Sequence, residues 1–207
     1  MTRDPSDYLA ADEVIDWTSE PVLALAATLG ADGRSDVAYA RACYEWVRDE
    51  VAHSVDAADP RVSVSATDTL RQRVGLCYAK SHLLVALLRA RGIPAGLCYQ
   101  SLQDDAGGFV VHGLVAVRLR DGWHRQDPRG NKPGIDAQFS VSRERLAWRV
   151  DPTAGEIDYP DVYASAHPSV LAALRDATNV LDARLPDRLG AHGEVAPPAP
   201  RSHRNAG

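Results

Sequence analysis

The long apolar run at residues 78–91, directly after Cys77 and directly before Gly92-Ile93-Pro94, is the feature that most constrains this chain. It predicts a buried helix that stops at the glycine and the proline. Cys77 then stands in the first turn of that helix. There the helix dipole and unpaired backbone N–H groups favour a thiolate and can hold an oxyanion. The placement makes Cys77 a candidate nucleophile.

A nucleophilic thiol needs a base and a group that orients the base, and the chain after the helix supplies both. Residues 110–117 have strand character and carry His112 near their start. After a turn at Asp121-Gly122, residues 123–127 read as the returning strand and end in Asp127. Adjacent antiparallel strands lie about 4.8 Å apart, so we expect His112 and Asp127 to be neighbours across the hairpin.

The pattern around these three residues resembles the transglutaminase-like superfamily of papain-type cysteine enzymes. The resemblance covers roughly residues 66–129, and the helix predicted at residues 44–51 also looks like the one that leads into this core. One position departs from the pattern, because many members carry tryptophan two residues after the histidine, where this chain has Leu114. The matching residues are Gly75-x-Cys77, the helix end at residues 87–95, His112, and Gly122-Trp123-x-x-x-Asp127-Pro128.

The resemblance implies a catalytic triad of Cys77, His112 and Asp127 that acts on an amide or carboxamide carbonyl of a peptide or protein. The acyl-enzyme would be resolved by water, as in a peptidase or amidase, or by an amine, as in a transglutaminase, and hydrolysis is slightly favoured. No cofactor and no metal are implied. A catalytically idle peptide-binding domain of the same fold is the alternative, and a zinc site at these residues ranks low because paired close ligands are missing.

Four further residues are candidates for substrate binding. Lys80 and Lys132 are the only lysines among 23 basic residues, and Lys80 lies one turn after Cys77 on the same helix face. It is therefore predicted to steady the thiolate or to bind a substrate carboxylate, with a solvated helix residue as the alternative. His53, Tyr99 and Gln100 are candidates for the wall of the cleft.

The remaining cysteines and histidines are given structural roles. Cys43 and Cys98 occupy apolar periodic positions and are predicted to be small core residues. His82 points elsewhere on the helix from Cys77. His124 is out of phase with Asp127 on its strand and is expected at the surface.

Composition limits the domain organisation and the location of the chain. A length of 207 residues with 45% hydrophobic residues predicts one domain at residues 1–186, with its core at about 36–134 and a disordered tail at 187–207. The net charge of −5 argues against nucleic acid as a partner. A polar N-terminus without a long apolar run, and three unpaired cysteines, predict a cytoplasmic protein without a membrane segment. The preference for arginine over lysine suggests a bacterial source, and the oligomeric state stays open.

The order of the predicted elements indicates the fold class. Helices are expected to end at Gly30, to begin after Ser35 and Ser65, and to include Cys77, before the strands at residues 96–102, 110–117 and 123–127. Helices first and strands second predict an α+β fold of the papain-like transglutaminase type, with a central catalytic helix packed on a small antiparallel sheet. A later helix is expected after His167-Pro168-Ser169 through about Asn179, and no element type is assigned to residues 143–148.

Overall fold

The computed structural model describes residues 4–104, 106–120 and 122–190. The helices are α1 (Glu20–Leu29), α2 (Asp36–Glu50), α3 (Ala66–Gln72), α4 (Cys77–Ala90) and α5 (Pro168–Asp176). The strands are β1 (Ala52–His53), β2 (Val74–Gly75), β3 (Ala95–Gln103), β4 (Phe109–Leu119), β5 (Gly122–Gln126) and β6 (Ile157–Asp158). Short 3-10 helices lie at Pro5–Leu9, Pro152–Ala154 and Val180–Asp182.

Side-chain caps explain where the early helices begin. The Ser35 hydroxyl accepts the N–H of Ala38 at the start of α2, and Ser65 forms a reciprocal capping box with Asp68 at the start of α3. Helix α1 ends at Gly30. These boundaries confirm the sequence predictions. Helix α5 begins slightly earlier than predicted, at Pro168, and ends before the predicted Asn179, because the backbone turns to an extended conformation at Ala177.

The main sheet has the strand order β5-β4-β3-β6, and every neighbouring pair is antiparallel. Strand β4 is the longest, and β5 pairs with only its second half, from Val115 to Leu119. The first half of β4 therefore has one edge that β5 does not cover. A separate parallel pair, β1 with β2, sets His53 opposite Gly75, just before Cys77. This two-residue pairing was not predicted, because strands so short carry no readable alternation.

Helix α4 lies at the centre of the molecule, and every residue from Cys77 to Arg89 is buried. It packs against the helices on one side and against β3 and β4 on the other. Its apolar side chains join those of α2 and the inner sheet face in one large core cluster. The outer sheet face carries a smaller cluster of Cys98, Leu114 and Ala116. The predicted α+β architecture, with a central helix on an antiparallel sheet, is confirmed.

The packed region extends further toward the C-terminus than the sequence predicted. The tail was expected from Asp187, yet the Asp187 carbonyl accepts the Ser101 hydroxyl at 2.6 Å. The guanidinium carbon of Arg188 lies 3.7 Å from the centre of the Phe109 ring, and Leu189 is buried in the main core. Residues 187–190 thus pack on the sheet, and the rest of the predicted tail lies outside the described residues. Among the described helices, none combines the length and the apolar character needed to cross a bilayer.

Candidate active site

Cys77 is the first residue of α4, and its side chain is 7% exposed. The preceding residue, Leu76, caps the helix without a side-chain hydrogen bond, so the first-turn N–H groups are not taken by a capping side chain. The Cys77 sulfur accepts the backbone N–H of Gly113 at 3.4 Å. The thiol therefore receives one backbone donor and lies at the N-terminus of a helix, an arrangement that suits a negative charge on sulfur.

Gly113 connects the start of α4 to strand β4. Its N–H is free for the sulfur because β5 pairs with β4 only from Val115 onward. Its lack of a side chain is also required, since a Cβ at position 113 would lie 2.8 Å from the Tyr78 ring and 3.4 Å from the Tyr78 backbone. The Tyr78 hydroxyl in turn donates to the Val111 carbonyl. The first turn of α4 thus lies directly against the uncovered half of β4.

His112 and Asp127 lie next to each other, as expected from the hairpin. The imidazole Nε2 is 2.9 Å from Asp127 Oδ2, and both side chains are buried. The register explains the contact: Gln126, the last residue of β5, pairs with Val115, so Asp127 follows the strand beside the start of β4. The remaining ring nitrogen, Nδ1, is left for Cys77, whose interaction with the ring raises the pKa of His112.

Asp127 is held by several donors besides the imidazole. Its Oδ1 accepts the N–H of Arg129 at 3.1 Å, and its Oδ2 also accepts the N–H of Ala147 at 3.0 Å. The Tyr44 hydroxyl donates to the backbone carbonyl of Asp127 at 3.0 Å. Burial raises the pKa of this carboxyl, but the charge of His112 and the hydrogen bonds lower it more, so the pKa is lowered overall. Asp127 is therefore a fixed, ionised acceptor.

The pKa of His112 is shifted in the complementary direction. Burial lowers it, but the charges of Asp127 and Cys77 and hydrogen bonds to both outweigh the burial and raise the pKa to about 10. The imidazole is therefore stabilised as a cation between two groups that can be negative. Such an environment suits a base that takes a proton from a thiol.

Lys80 does not have the position that the sequence suggested. Its side chain is fully buried, and the ammonium donates to the backbone carbonyls of Val51 and Arg48, at 3.2 Å for Arg48. The long side chain carries the charge from the shared helix face to the C-terminal end of α2, where carbonyls lack helical partners. Burial lowers the pKa of Lys80 to about 7. The residue fixes α2 on α4, and its ammonium is not placed to bind a substrate carboxylate.

The other predicted substrate-binding residues have three different placements. Tyr99 belongs to the core rather than to a cleft wall, because its side chain points to the inner sheet face, and its hydroxyl accepts the N–H of His167 at 3.0 Å. Gln100 is the cross-strand partner of His112 and is 1% exposed, and its Oε1 has no partner among the described residues. His53 lies near the pair, and burial together with the charge of Arg129 lowers its pKa to about 3.

Trp148 and Ala147 contact the acid–base pair, and no sequence pattern predicted either contact. The indole of Trp148 lies edge-on to the His112 ring, with the ring centres 4.9 Å apart and the planes at 84°. Leu114, which stands where many relatives have tryptophan, is fully buried in the small outer cluster. The aromatic neighbour of the histidine thus comes from a segment without regular structure.

Comparison with known proteins identifies the family. The model of the transglutaminase-like superfamily matches residues 23–128, which include Cys77, His112 and Asp127. The chain belongs to this superfamily. No curated protein matches the sequence.

Solved structures with the transglutaminase-like fold are similar over about three fifths of this chain. A candidate cysteine protease from Cytophaga hutchinsonii has 21% identity and a TM-score of 0.52, covering 62% of this chain and 43% of its own. The periplasmic domain of TgpA from Pseudomonas aeruginosa has 23% identity and a TM-score of 0.45, covering 61% and 48%. The chain therefore matches less than half the length of these relatives. The likeness to the Cytophaga hutchinsonii structure shows the fold.

Proposed function

We propose that this transglutaminase-like protein is a thiol enzyme that attacks an amide or carboxamide carbonyl of a peptide or protein. The observation that carries the proposal is the convergence of three groups. Cys77 lies at the start of a buried helix, His112 lies beside it with a raised pKa, and Asp127 is bonded to the far side of the imidazole at 2.9 Å. A nucleophile, a base and a group that orients the base are the parts that acyl transfer requires.

The first half of the reaction follows from this geometry. His112 takes the thiol proton on Nδ1, while Asp127 accepts the Nε2–H bond and stabilises the imidazolium. The thiolate adds to the carbonyl carbon, and the backbone N–H of Cys77 stabilises the resulting oxyanion. The C–N bond then breaks, the nitrogen leaves with the proton from His112, and a thioester on Cys77 remains.

The second half reverses these roles. His112, now neutral, takes a proton from the incoming water or amine as that nucleophile adds to the thioester. The C–S bond breaks, and Cys77 leaves as the thiolate. Water gives a carboxylic acid and an amine gives a new amide, so one acyl-enzyme serves both reactions. We propose hydrolysis as the main outcome, and the relative described as a candidate cysteine protease is consistent with it. The cytoplasmic location expected from the sequence stays a prediction.

Trapping of the acyl-enzyme tests the proposal. The purified protein is incubated with a library of peptides that carry glutamine and asparagine side chains, and intact-protein and peptide mass spectrometry locate any acyl adduct. We expect an adduct on Cys77 that is absent in Cys77→Ser and retained in Cys98→Ser, which removes another buried thiol. Peptides that bind without an adduct or any turnover would instead make the protein a peptide-binding domain.

A labelling experiment separates the two outcomes of the acyl-enzyme. Turnover in ¹⁸O-water puts the heavy isotope into the product acid if water resolves the thioester. A primary amine such as ethylamine, added in excess, appears in the product if the enzyme transfers the acyl group. Dominance of the amine product would overturn the preference for hydrolysis and leave the assignment of the thiol intact.

A further inference from the structure

The strap, defined here as residues Glu144–Trp148, crosses the outer face of the sheet without regular secondary structure. It is held along its length. Glu144 accepts two hydrogen bonds from Arg125, at 2.7 and 2.8 Å, and the Arg145 carbonyl accepts the N–H of Gln138 at 3.0 Å. Leu146 packs on the outer apolar cluster. These contacts give the last two residues of the strap a defined position.

Those last two residues contact both members of the acid–base pair. The Ala147 N–H donates to Asp127 Oδ2, the same oxygen that His112 Nε2 contacts. Trp148, the next residue, lies edge-on to the His112 ring. One stretch of chain therefore touches the carboxylate with its backbone and the imidazole with its side chain.

Arg129 fixes Trp148 from the other side. Its guanidinium carbon lies 5.2 Å from the centre of a Trp148 ring, and the guanidinium is held by two hydrogen bonds to Asp56, at 2.7 and 3.0 Å. The Arg129 backbone N–H also donates to Asp127 Oδ1. The contacts thus form a closed cycle from Asp127 to Arg129, Trp148 and His112, and back to Asp127.

We propose that Trp148 is a positioning residue for His112, which fixes the plane of the imidazole and keeps water away from its bond to Asp127. The proposal rests on the proposed function, because it assigns a role in the same site. Nε2 is the ring nitrogen on which Asp127 acts, and water that reached it would compete for that hydrogen bond. A ring that rotates would also lose its alignment with the sulfur, and small misplacements of a catalytic group are costly.

Leu114 cannot take this role, because it is fully buried against Cys98 and Ala116. The titratable groups that face His112 are Asp127, Cys77 and His53. Trp148 adds no charge to this set. Its contribution is therefore to the geometry of the imidazole and to the exclusion of water. Another aromatic side chain at position 148 can supply both, whereas alanine cannot.

The test compares Trp148→Ala with Trp148→Phe and uses Trp123→Ala as the matched control. Trp123 is as exposed as Trp148, at 38% against 36%, but packs edge-on against Tyr8, away from His112. The readout is the exchange with water of the His112 Nε2 proton, followed by NMR on ¹⁵N-histidine-labelled protein and assigned with His112→Gln. We expect exchange at least about tenfold faster in Trp148→Ala, and wild-type exchange in Trp148→Phe and Trp123→Ala.

Equal exchange in wild type and Trp148→Ala would overturn the proposal. Faster exchange of similar size in both Trp148→Ala and Trp123→Ala would also overturn it, because a general loosening of the fold would then be the cause. The pH profile of Cys77 alkylation by iodoacetamide is measured alongside. If His112→Gln has the same pH profile of Cys77 alkylation as the wild type, the proposed function is wrong. The result for Trp148 would still stand.

Discussion

Two buried histidines, in different regions of the molecule, have pKa values shifted in opposite directions. His112, beside the start of α4, has a pKa raised to about 10 because Asp127 and Cys77 outweigh its burial. His82, further along α4, has a pKa lowered by burial to about 4, and its Nδ1 lies 2.8 Å from the Val64 carbonyl. Its Nε2 has no partner among the described residues. The opposite pKa shifts therefore come from the groups that contact each imidazole and not from the depth of burial.

The comparison shows what distinguishes a candidate catalytic region from the ordinary interior. Burial lowers the pKa of His82 more than its hydrogen bond with the Val64 carbonyl raises it, whereas at His112 the ionised carboxylate of Asp127 helps to outweigh burial and supports the cation. His53 lies close to the site but follows His82, with a pKa lowered to about 3 by burial and by the charge of Arg129. Proximity to the site is therefore not enough, and direct contact with a carboxylate is required.

Removal of the Asp127 carboxylate should bring the pKa of His112 closer to that of His82. In Asp127→Asn we expect the pKa of His112 to fall from its raised value toward or below the ordinary value of about 6.5, because Cys77 alone then opposes the effect of burial. Turnover of a substrate identified by the trapping experiment should fall by roughly two to four orders of magnitude, as for other triads that lose their orienting carboxylate. Histidine NMR and single-turnover kinetics measure the two effects. Asp176→Asn is the control, since it removes one exposed carboxylate at the end of α5.

The three cysteines extend the comparison to thiols. Burial raises the pKa of Cys43 and of Cys98 to about 12, and neither has a base beside it. Cys77 has both backbone donors and His112, so it should react with iodoacetamide at neutral pH at least about a hundredfold faster than the other two. Limited alkylation followed by peptide mapping measures the order of labelling. First labelling at Cys43 or Cys98 would show that the nucleophile is misassigned.

The pH dependence of stability should carry opposite signs for the two histidines. For His82 the unfolded state binds more protons than the folded state between about pH 4 and 6.5, so its contribution is lost as the pH falls through this window. The loss is at most roughly 3 kcal/mol. For His112 the folded state binds more protons, so its contribution is present below about pH 6.5 and is lost as the pH rises toward 10.

Urea unfolding at a series of pH values tests these signs through differences between wild type and variant. The wild-type free energy of unfolding minus that of His82→Gln should fall as the solution is acidified. The same difference for His112→Gln should fall as the solution is made alkaline. Subtraction cancels the titration of groups that do not interact with the substituted histidine, such as Lys80, because their titration is the same in wild type and variant. Parallel curves for the two variants would contradict the comparison.

The smallest expected effect concerns Lys80, a buried cation held by carbonyls instead of a carboxylate. Lys80→Met should lower the free energy of unfolding by about 1–3 kcal/mol, because it leaves the carbonyls of Arg48 and Val51 without this donor. The alkylation profile of Cys77 should not change. A changed profile with unchanged stability would restore the role that the sequence suggested, and thermal unfolding together with alkylation decides between the two.

Regular patterns made most of the fold predictable. Ser35, Ser65 and Gly30 marked helix ends through local hydrogen bonds and backbone freedom, which depend on few neighbours. The hairpin that brings His112 to Asp127 followed from strand alternation and one turn. The role of Lys80 was not predictable, because the end of α2 lies about thirty residues away in sequence, and no local pattern indicates which carbonyls a long side chain will reach.

The strap was beyond sequence reasoning for a different reason. Residues 144–148 have neither helical nor strand periodicity, so nothing located them on the sheet. Their position depends on Arg125, Gln138 and Asp127, each in another part of the chain. Trp148 could be noted as an exposed aromatic residue, but its contact with His112 appears only once the sheet has formed.

The strand order of the main sheet has a consequence for how the protein assembles. Strands β3, β4 and β5 follow one another along the chain and pair in that order, whereas β6 joins through only two residue pairs that couple Gln100 and Ser101 to a distant segment. Local pairings close with less loss of chain entropy than distant ones. We therefore expect the stretch from Cys77 to Asp127 to form as one nearly continuous folding unit, and β6 and the strap to be added last. The same elements should open first in the native protein, so the three site residues can meet before their cover is in place and can stay together when it is lost.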